Sequence, residues 1–230
     1  MRIAVLGGGN GSFAAAGDFA LAGHDTRLWR RDKPAVEAHR AAGSTVTIKD
    51  FAGKHEAKLS LVTNDITQAV RDAALIVCPA PAHAQPDIAK TLAPHLTDGQ
   101  VVFLPPGTFG SMLFAQAMQA AGNTAKVAFA ETGTLPWLTR KHGPFEAAIT
   151  VRAKRLPTGV FPLTLKGHAL SVIGQAFPGV IEDCGDALSG ALMNAGGIIH
   201  PPLITMNAGP LSISTAGTST RKVRSPRSAA

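Results

Sequence analysis

The sequence predicts an α/β fold: a doubly wound, mostly parallel sheet with helices on both faces, followed by the start of a helical domain. Three observations carry this. Strand-like apolar runs alternate with helix-like segments from RIAVL to FEAAITVRAK, the order of a layered α/β domain. Two of those runs, ALIVC and QVVFL, are apolar without alternation, as in strands buried on both faces. The first thirty residues read strand, glycine turn, helix, strand, a βαβ unit that implies parallel strands and a right-handed crossover.

Taken in order, RIAVL is the first strand and GGGNG the turn. SFAAAGDFALA is a helix that Gly23 is placed to end. TRLWR is the second strand, and PAVEAHRAAG a helix closing at Gly43. STVTIKDFAGKHEAKLSLV alternates like two strands about a turn at Ala52-Gly53. NDITQAVRDA is a short helix capped by Asn64 or Asp65. ALIVC, the helix AQPDIAKTLAPHL, a turn at Asp98-Gly99 and QVVFL follow. GSMLFAQAMQAAG is an amphipathic helix ending at Gly122, and KVAFAET and FEAAITVRAK complete the strands. From about Val180 the strand signals stop, and CGDALSGALMNAGG and PLITMN look helical. The expected organisation is a nucleotide-binding domain over residues 1–178, an incomplete helical domain over 179–211 and a disordered basic tail over 212–230.

Composition narrows the function classes. A chain of 230 residues, 45% apolar, has enough mass for a sizeable core. The net charge of +7 falls to +3 once the tail cations Arg221, Lys222, Arg224 and Arg227 are set aside. Those arginines lack interleaved aromatics, which argues against nucleic acid as partner. MRIAVLGGGN runs straight into glycines and is no signal peptide. No stretch reaches membrane-span length, so a soluble chain with no membrane partner is expected. Cys78 and Cys184 lie far apart and form no metal-type pair, consistent with a reduced, cytoplasmic protein and no metal site. The oligomeric state is left open.

The glycine turn carries the first chemistry. Gly7, Gly9 and Ser12 fit G-x-G-x-x-S, with Ser12 in the third glycine's place; Gly9, Gly11 and Ala14 fit the alternative register. Either puts small residues, Asn10 among them, where backbone approaches a pyrophosphate, with a helix N-terminus beyond it. This is a Rossmann-type fingerprint. At the end of the second strand, where an NAD site carries an acid, stand Arg30 and Arg31. Guanidinium groups suit a 2′-phosphate, so NADP is favoured over NAD; the competing view makes them a solvated pair with Asp32 as the acid. Pro79 and Ala80, after a buried strand, are placed against the cofactor. Cys78 reads as an apolar filler, and His83 as helix-start packing. Trp29 and Trp137 read as core or cleft wall. His200 precedes two prolines; it either packs at a helix start or acts as acid/base, and the residues alone favour packing.

Together, GGGNGSFAAAGDFALAGH, LPPGTFGS, AETGTLPWLTR and IIHPPLITMNAG resemble the octopine/nopaline (opine) dehydrogenase family, in one order from residue 1 to about Leu211. The third and fourth segments are the specific ones. The resemblance implies an NAD(P)-dependent oxidoreductase reducing the imine formed from an amino acid and a 2-keto acid. It implies that His200 is the general acid/base, paired with an aspartate later in the family's chain. It also implies that Glu131, Thr132 and Arg140 face substrate, although Glu131 reads equally as a structural acid at a strand end. Asn194 and Asn207 either bind substrate or orient His200, or serve as helix caps and turns. Ketopantoate and glycerol-3-phosphate reductases share the early motif but use a lysine in the later cleft, and none lies between Lys166 and Lys222. Beyond Leu211 the family pattern stops. Codons for a family-like continuation, read one base out of frame, can spell this tail, so the expectation is a truncated, impaired enzyme or a non-catalytic nucleotide-binding remnant.

Overall fold

The computed structural model describes residues 1–207; the expected tail over 212–230 and the change of frame at Leu211 lie outside them. β1 (Arg2–Leu6) leads through α1 (Asn10–Leu21) to β2 (Asp25–Trp29) and α2 (Lys33–Ala41). The hairpin β3 (Thr45–Asp50) and β4 (Gly53–Lys58) precedes β5 (Leu61–Thr63), α3 (Ile66–Val70), β6 (Leu75–Val77) and α4 (Gln85–Leu92). Then come β7 (Val101–Leu104), α5 (Gly110–Ala120), β8 (Ala128–Thr132), β9 (Trp137–Lys141) and β10 (Glu146–Arg152). β11 (Leu156–Phe161), α6 (Lys166–Ala176), β12 (Ile181–Asp186), α7 (Ala187–Leu192) and α8 (Gly196–Met206) complete the described chain. It divides into two compact units, Met1–Asn194 and the part from Ala195 onward.

The first unit holds an eight-stranded sheet in the order β12-β11-β8-β7-β6-β1-β2-β5. From β5 to β8 all pairs are parallel, and β11 runs antiparallel to β8. Alternate side chains of the parallel strands feed two cores. Ile3, Val5, Leu75, Val77, Val101 and Phe103 pack with α1 residues Phe13 and Phe19. Ala4, Leu6, Ile76, Cys78, Val102 and Leu104 pack with Ile88, Leu92 and Phe114 of α4 and α5. This is why β6 and β7 read as unbroken apolar runs. Strand order reverses at β1, with β2 on one side and β6 on the other, so a crevice opens at their carboxyl ends.

A second sheet, β4-β3-β10-β9, covers α1. The hairpin turn falls at Phe51-Ala52, one residue before the expected Ala52-Gly53, because Gly53 already pairs with Asp50, and the pairing of β3 with β10 joins segments a hundred residues apart. At Gly17 of α1 a side chain would strike Ile48 of β3, so helix and sheet pack backbone-close. Arg152 fixes the layer, donating to Asp18 at 2.7 Å and to Asp50 at 2.9 Å, while Trp137 Nε1 donates to Asp18 at 2.7 Å.

The expected domain boundary after residue 178 falls before the last strand of the sheet. β12 pairs in parallel with β11, and both β12 and α7 belong to the first compact unit. IEDCGD forms an edge strand, half-exposed and half-polar, so it lacks the apolar run by which inner strands announce themselves. β5, β9, β11 and α6 are likewise additions to the sequence reading. In the second unit, His200 is the fifth residue of α8 rather than its start, and Pro201 and Pro202 lie inside the helix. The prolines supply no N–H to the carbonyls four residues back. No helix among the described residues is long and apolar enough to cross a membrane.

Candidate functional site

The glycine turn sits between the end of β1 and the start of α1. Gly7 adopts φ +117°, a conformation open to glycine, and a Cβ there would lie 2.7 Å from Ser12 Oγ. Ser12 is buried and donates to Leu6 O at 3.2 Å. It therefore does the third glycine's work of close helix–strand packing, and the Gly7-Gly9-Ser12 register is the one the backbone adopts. Gly9 caps α1 with no side chain, and a Cβ built there would meet nothing within 4 Å. Gly11 approaches Pro79 closely, its Cβ position 3.1 Å away. The first turn of α1 carries no acid, so its unpaired N–H groups present positive potential to the open side of Gly9. Asn10 turns away from this surface: its Oδ1 accepts the Lys141 N–H at 2.9 Å.

The crevice at this point holds about 280 Å³. Gly7, Gly8, Gly9 and Ser12 form one wall. Trp29, Arg30, Arg31 and Asp32 from the end of β2 form another, and Pro79, Ala80 and Pro81 beyond β6 close it with Ile88 of α4. Arg30 folds over the turn, its Nε 2.9 Å from where a Gly8 Cβ would stand, and its Nη1 donates to Ala35 O at 3.2 Å. Arg31 is exposed and pairs loosely with Asp87 at 3.5 Å. The Asp32 carboxylate caps α2, accepting the Ala35 N–H at 3.2 Å, so the acid that follows Arg31 already has a structural task. Open glycine backbone, a helix N-terminus and an arginine at the ribose end fit a nicotinamide dinucleotide. Burial pushes the Cys78 thiol up to about 12, so it stays protonated and serves as filler. His83 is exposed in a 3₁₀ turn after Pro81. Trp29 Nε1 donates to Asn64 O at 3.1 Å as part of the cleft wall.

Glu131 and Thr132 end β8 and are sealed, with 1% and 0% of their surface exposed. Glu131 Oε1 accepts a short hydrogen bond from Ser111 Oγ. Burial raises the Glu131 pKa most, while Ser111 and the backbone N–H groups of Gly110, Phe109 and Ser111 act against that rise. The carboxyl group thus sits at the start of α5 and beneath the Pro105–Phe109 loop, where Gly107 has no room for a side chain because of it. Glu131 Oε2, Thr132 Oγ1 and Gln85 Oε1 are buried without a hydrogen-bond partner. Asn194 joins this end, donating to Thr108 Oγ1 at 3.3 Å, and Gly107 N–H donates to Thr132 O at 3.1 Å.

Arg140 does not gather there. It is exposed on β9 of the four-stranded sheet, donates to its neighbour Thr139 O at 2.8 Å, and makes no hydrogen bond to Glu131 or Thr132 among the described residues. Asn207 caps α8, its Nδ2 donating to Leu203 O at 2.7 Å; the capping alternative is the one realised. His200 lies on the same helix. The sequence reading passed over Lys141, one residue beyond Arg140, whose ammonium stands 4.1 Å from the Phe13 ring centre. It also passed over Ser111, whose partner Glu131 lies 20 positions away, and Gln85, which donates both to nearby Ala80 O and to Pro106 O, 21 positions on.

A family model described as the NAD-dependent glycerol-3-phosphate dehydrogenase N-terminus matches residues 2–127. The chain resembles an opine dehydrogenase of Arthrobacter sp. (strain 1C), with 28% identity over 206 residues, 89% of this chain and 56% of that protein. A glycerol-3-phosphate dehydrogenase [NAD(P)+] of Acinetobacter baumannii is 37% identical over 108 residues, 46% of this chain and 29% of that protein. The chain therefore spans about half the length, or less, of the curated relatives it matches. Among solved structures, octopine dehydrogenase with NADH and pyruvate superposes with a TM-score of 0.72 at 19% identity, covering 93% of this chain and 57% of that one. At that identity the likeness is one of fold.

Proposed function

The chain belongs to the family described as the NAD-dependent glycerol-3-phosphate dehydrogenase N-terminus, and from that premise we propose that it binds a nicotinamide dinucleotide at the glycine turn, NADPH in preference to NADH, as part of an opine dehydrogenase-type oxidoreductase. The observation that carries the nucleotide reading is the crevice at the β1 switch point, with open backbone at Gly9 and Arg30 in place of a ribose-binding acid. The opine reading is supported by likeness over 206 residues, whereas the glycerol-3-phosphate dehydrogenase match covers 108.

The substrates of this reading are an amino acid and a 2-keto acid, joined as an imine. The bound cofactor supplies a hydride to the imine carbon. The chain's own residues bind and orient. Gly7, Gly9 and Ser12 admit the pyrophosphate to the α1 N-terminus, Arg30 and Arg31 meet the adenosine end, and Pro79 and Ala80 shape the opposite wall. His200 holds the proton for the nitrogen, a role assigned on its H-P motif. Asn194 stands toward substrate, and Thr132, sealed like Glu131, supports that end from beneath. Glu131 enters as the post that fixes the Pro105–Phe109 loop.

A glycerol-3-phosphate or ketopantoate reductase is the second reading, and the family model favours the former. The test is NADPH titration of the 230-residue chain, then NADPH oxidation with pyruvate plus amino acids, set beside dihydroxyacetone phosphate and ketopantoate. Oxidation that requires both pyruvate and an amino acid upholds the first reading. Oxidation with either of the other substrates alone upholds the second. Binding without turnover leaves a nucleotide-binding protein and refutes catalysis by this chain.

A further inference from the structure

One cation that shares the Phe13 ring with Arg30 belongs neither to the glycine turn nor to the end of β2. Lys141 closes β9, and its backbone is pinned to Asn10, the first residue of α1, by the 2.9 Å bond to Oδ1. Its ammonium lies 4.1 Å from the Phe13 ring centre, and the Arg30 guanidinium lies 5.5 Å from the same centre. The ring is immobile: Phe13 is fully buried and stacks on His39, which stacks on Phe145. Two cations are therefore held against one aromatic ring. Among the described residues neither forms an ion pair with a carboxylate, and the Arg30 side-chain hydrogen bond goes to Ala35 O. Cation–π attraction holds each in place but does not neutralise either. Burial and then the Arg30 charge pull the Lys141 pKa down, and burial keeps His39 in the neutral form beside them.

Like charges collected without a counter-charge mark a place where an anion lowers the energy of the assembly. The pyrophosphate belongs at Gly9 and the α1 N-terminus. Arg30 directly follows β2, at the ribose end. We propose that Lys141 and Arg30 together hold the 2′-phosphate of NADPH, so that the four-stranded sheet contributes a specificity-determining residue to the nucleotide site. Arg30 offers a planar pair of N–H donors and Lys141 a compact charge, the two modes by which cations bind phosphate.

This rests on the nucleotide reading above, and the experiment separates the two. NADPH and NADH affinities are measured by calorimetry for the full chain and for Lys141→Gln, Lys141→Arg and Arg30→Gln, with thermal melts confirming that each variant folds. Lys141→Gln weakens NADPH by about tenfold and leaves NADH within about twofold, and Lys141→Arg recovers most of the loss. A wild type that prefers NADPH, with Lys141→Gln unaffected or weakened equally for both nucleotides, overturns the role of Lys141 alone. A wild type that binds NADH as tightly as NADPH overturns the NADPH preference and this inference with it, and one that binds neither overturns the nucleotide reading as well.

Discussion

Two regions at the carboxyl edge of the same sheet are built in opposite ways. At β1 and β2 the chain leaves backbone open at Gly9 and holds Arg30 and Lys141 against one ring, neither of them paired with a carboxylate among the described residues. At β7 and β8 it buries a carboxylate, gives it Ser111, and seals it under Gly107. By residue type Glu131 looks the more chemical of the two, yet its surroundings are those of a cap on α5. The glycines carry no functional group, yet they shape the surface a ligand meets. Burial and partners, rather than residue type, separate a site from a support.

The largest expected effect lies on the sealed side. Glu131→Ala strips Ser111 and the α5 N-terminus of their acceptor and opens a cavity, costing about 3 kcal/mol. Melting should fall by roughly 6–12 °C, while NADPH affinity stays within about twofold. If instead melting is unchanged and affinity or turnover collapses, Glu131 is a site residue and the contrast is gone.

The next effect lies on the open side. Arg30→Gln should weaken NADPH by about tenfold, spare NADH, and leave the melting temperature within about 2 °C. Equal loss for both nucleotides would move Arg30 from the 2′-phosphate to the pyrophosphate.

The smallest effect concerns pH. Burial, the largest cause, holds the folded Glu131 pKa above its ordinary 4.5. Its favourable share is fully present below the unfolded pKa and is lost as pH rises through the folded one. Gln at this position has no such titration. The stability of Glu131→Gln relative to wild type, from urea unfolding between about pH 4 and pH 8, should therefore climb with pH. A flat difference would mean that the carboxyl group is not disfavoured when ionised.

How much of this was legible in the sequence depends on how local its cause is. The glycine turn was readable because its tight turn and strand-to-helix change lie within a dozen residues. Buried strands β6 and β7 announced themselves by apolar runs, and Asp65 proved to be the α3 cap, accepting the Thr67 and Gln68 N–H groups. The edge strand β12, half-polar, sent no such signal and moved the domain boundary. The second sheet could not be read because β3 meets β10 across a hundred residues. For the same reason nothing in the sequence pointed to Lys141, whose backbone meets Asn10, 131 positions away; Arg140 beside it was named on the family resemblance alone. His200 was read at a helix start because prolines favour first turns; α8 begins four residues earlier, at Gly196.

The central claim is that the open backbone at Gly9 is where the dinucleotide lies. Calorimetric titration of NADPH into wild type and Gly9→Ala tests it most directly. The substitution meets no atom within 4 Å and needs no unusual backbone angle, so the fold should lose less than about 1 kcal/mol. The account predicts saturable binding of one NADPH per chain in wild type and at least about a tenfold loss in Gly9→Ala. Equal binding by the two proteins, or none by the wild type, would contradict it.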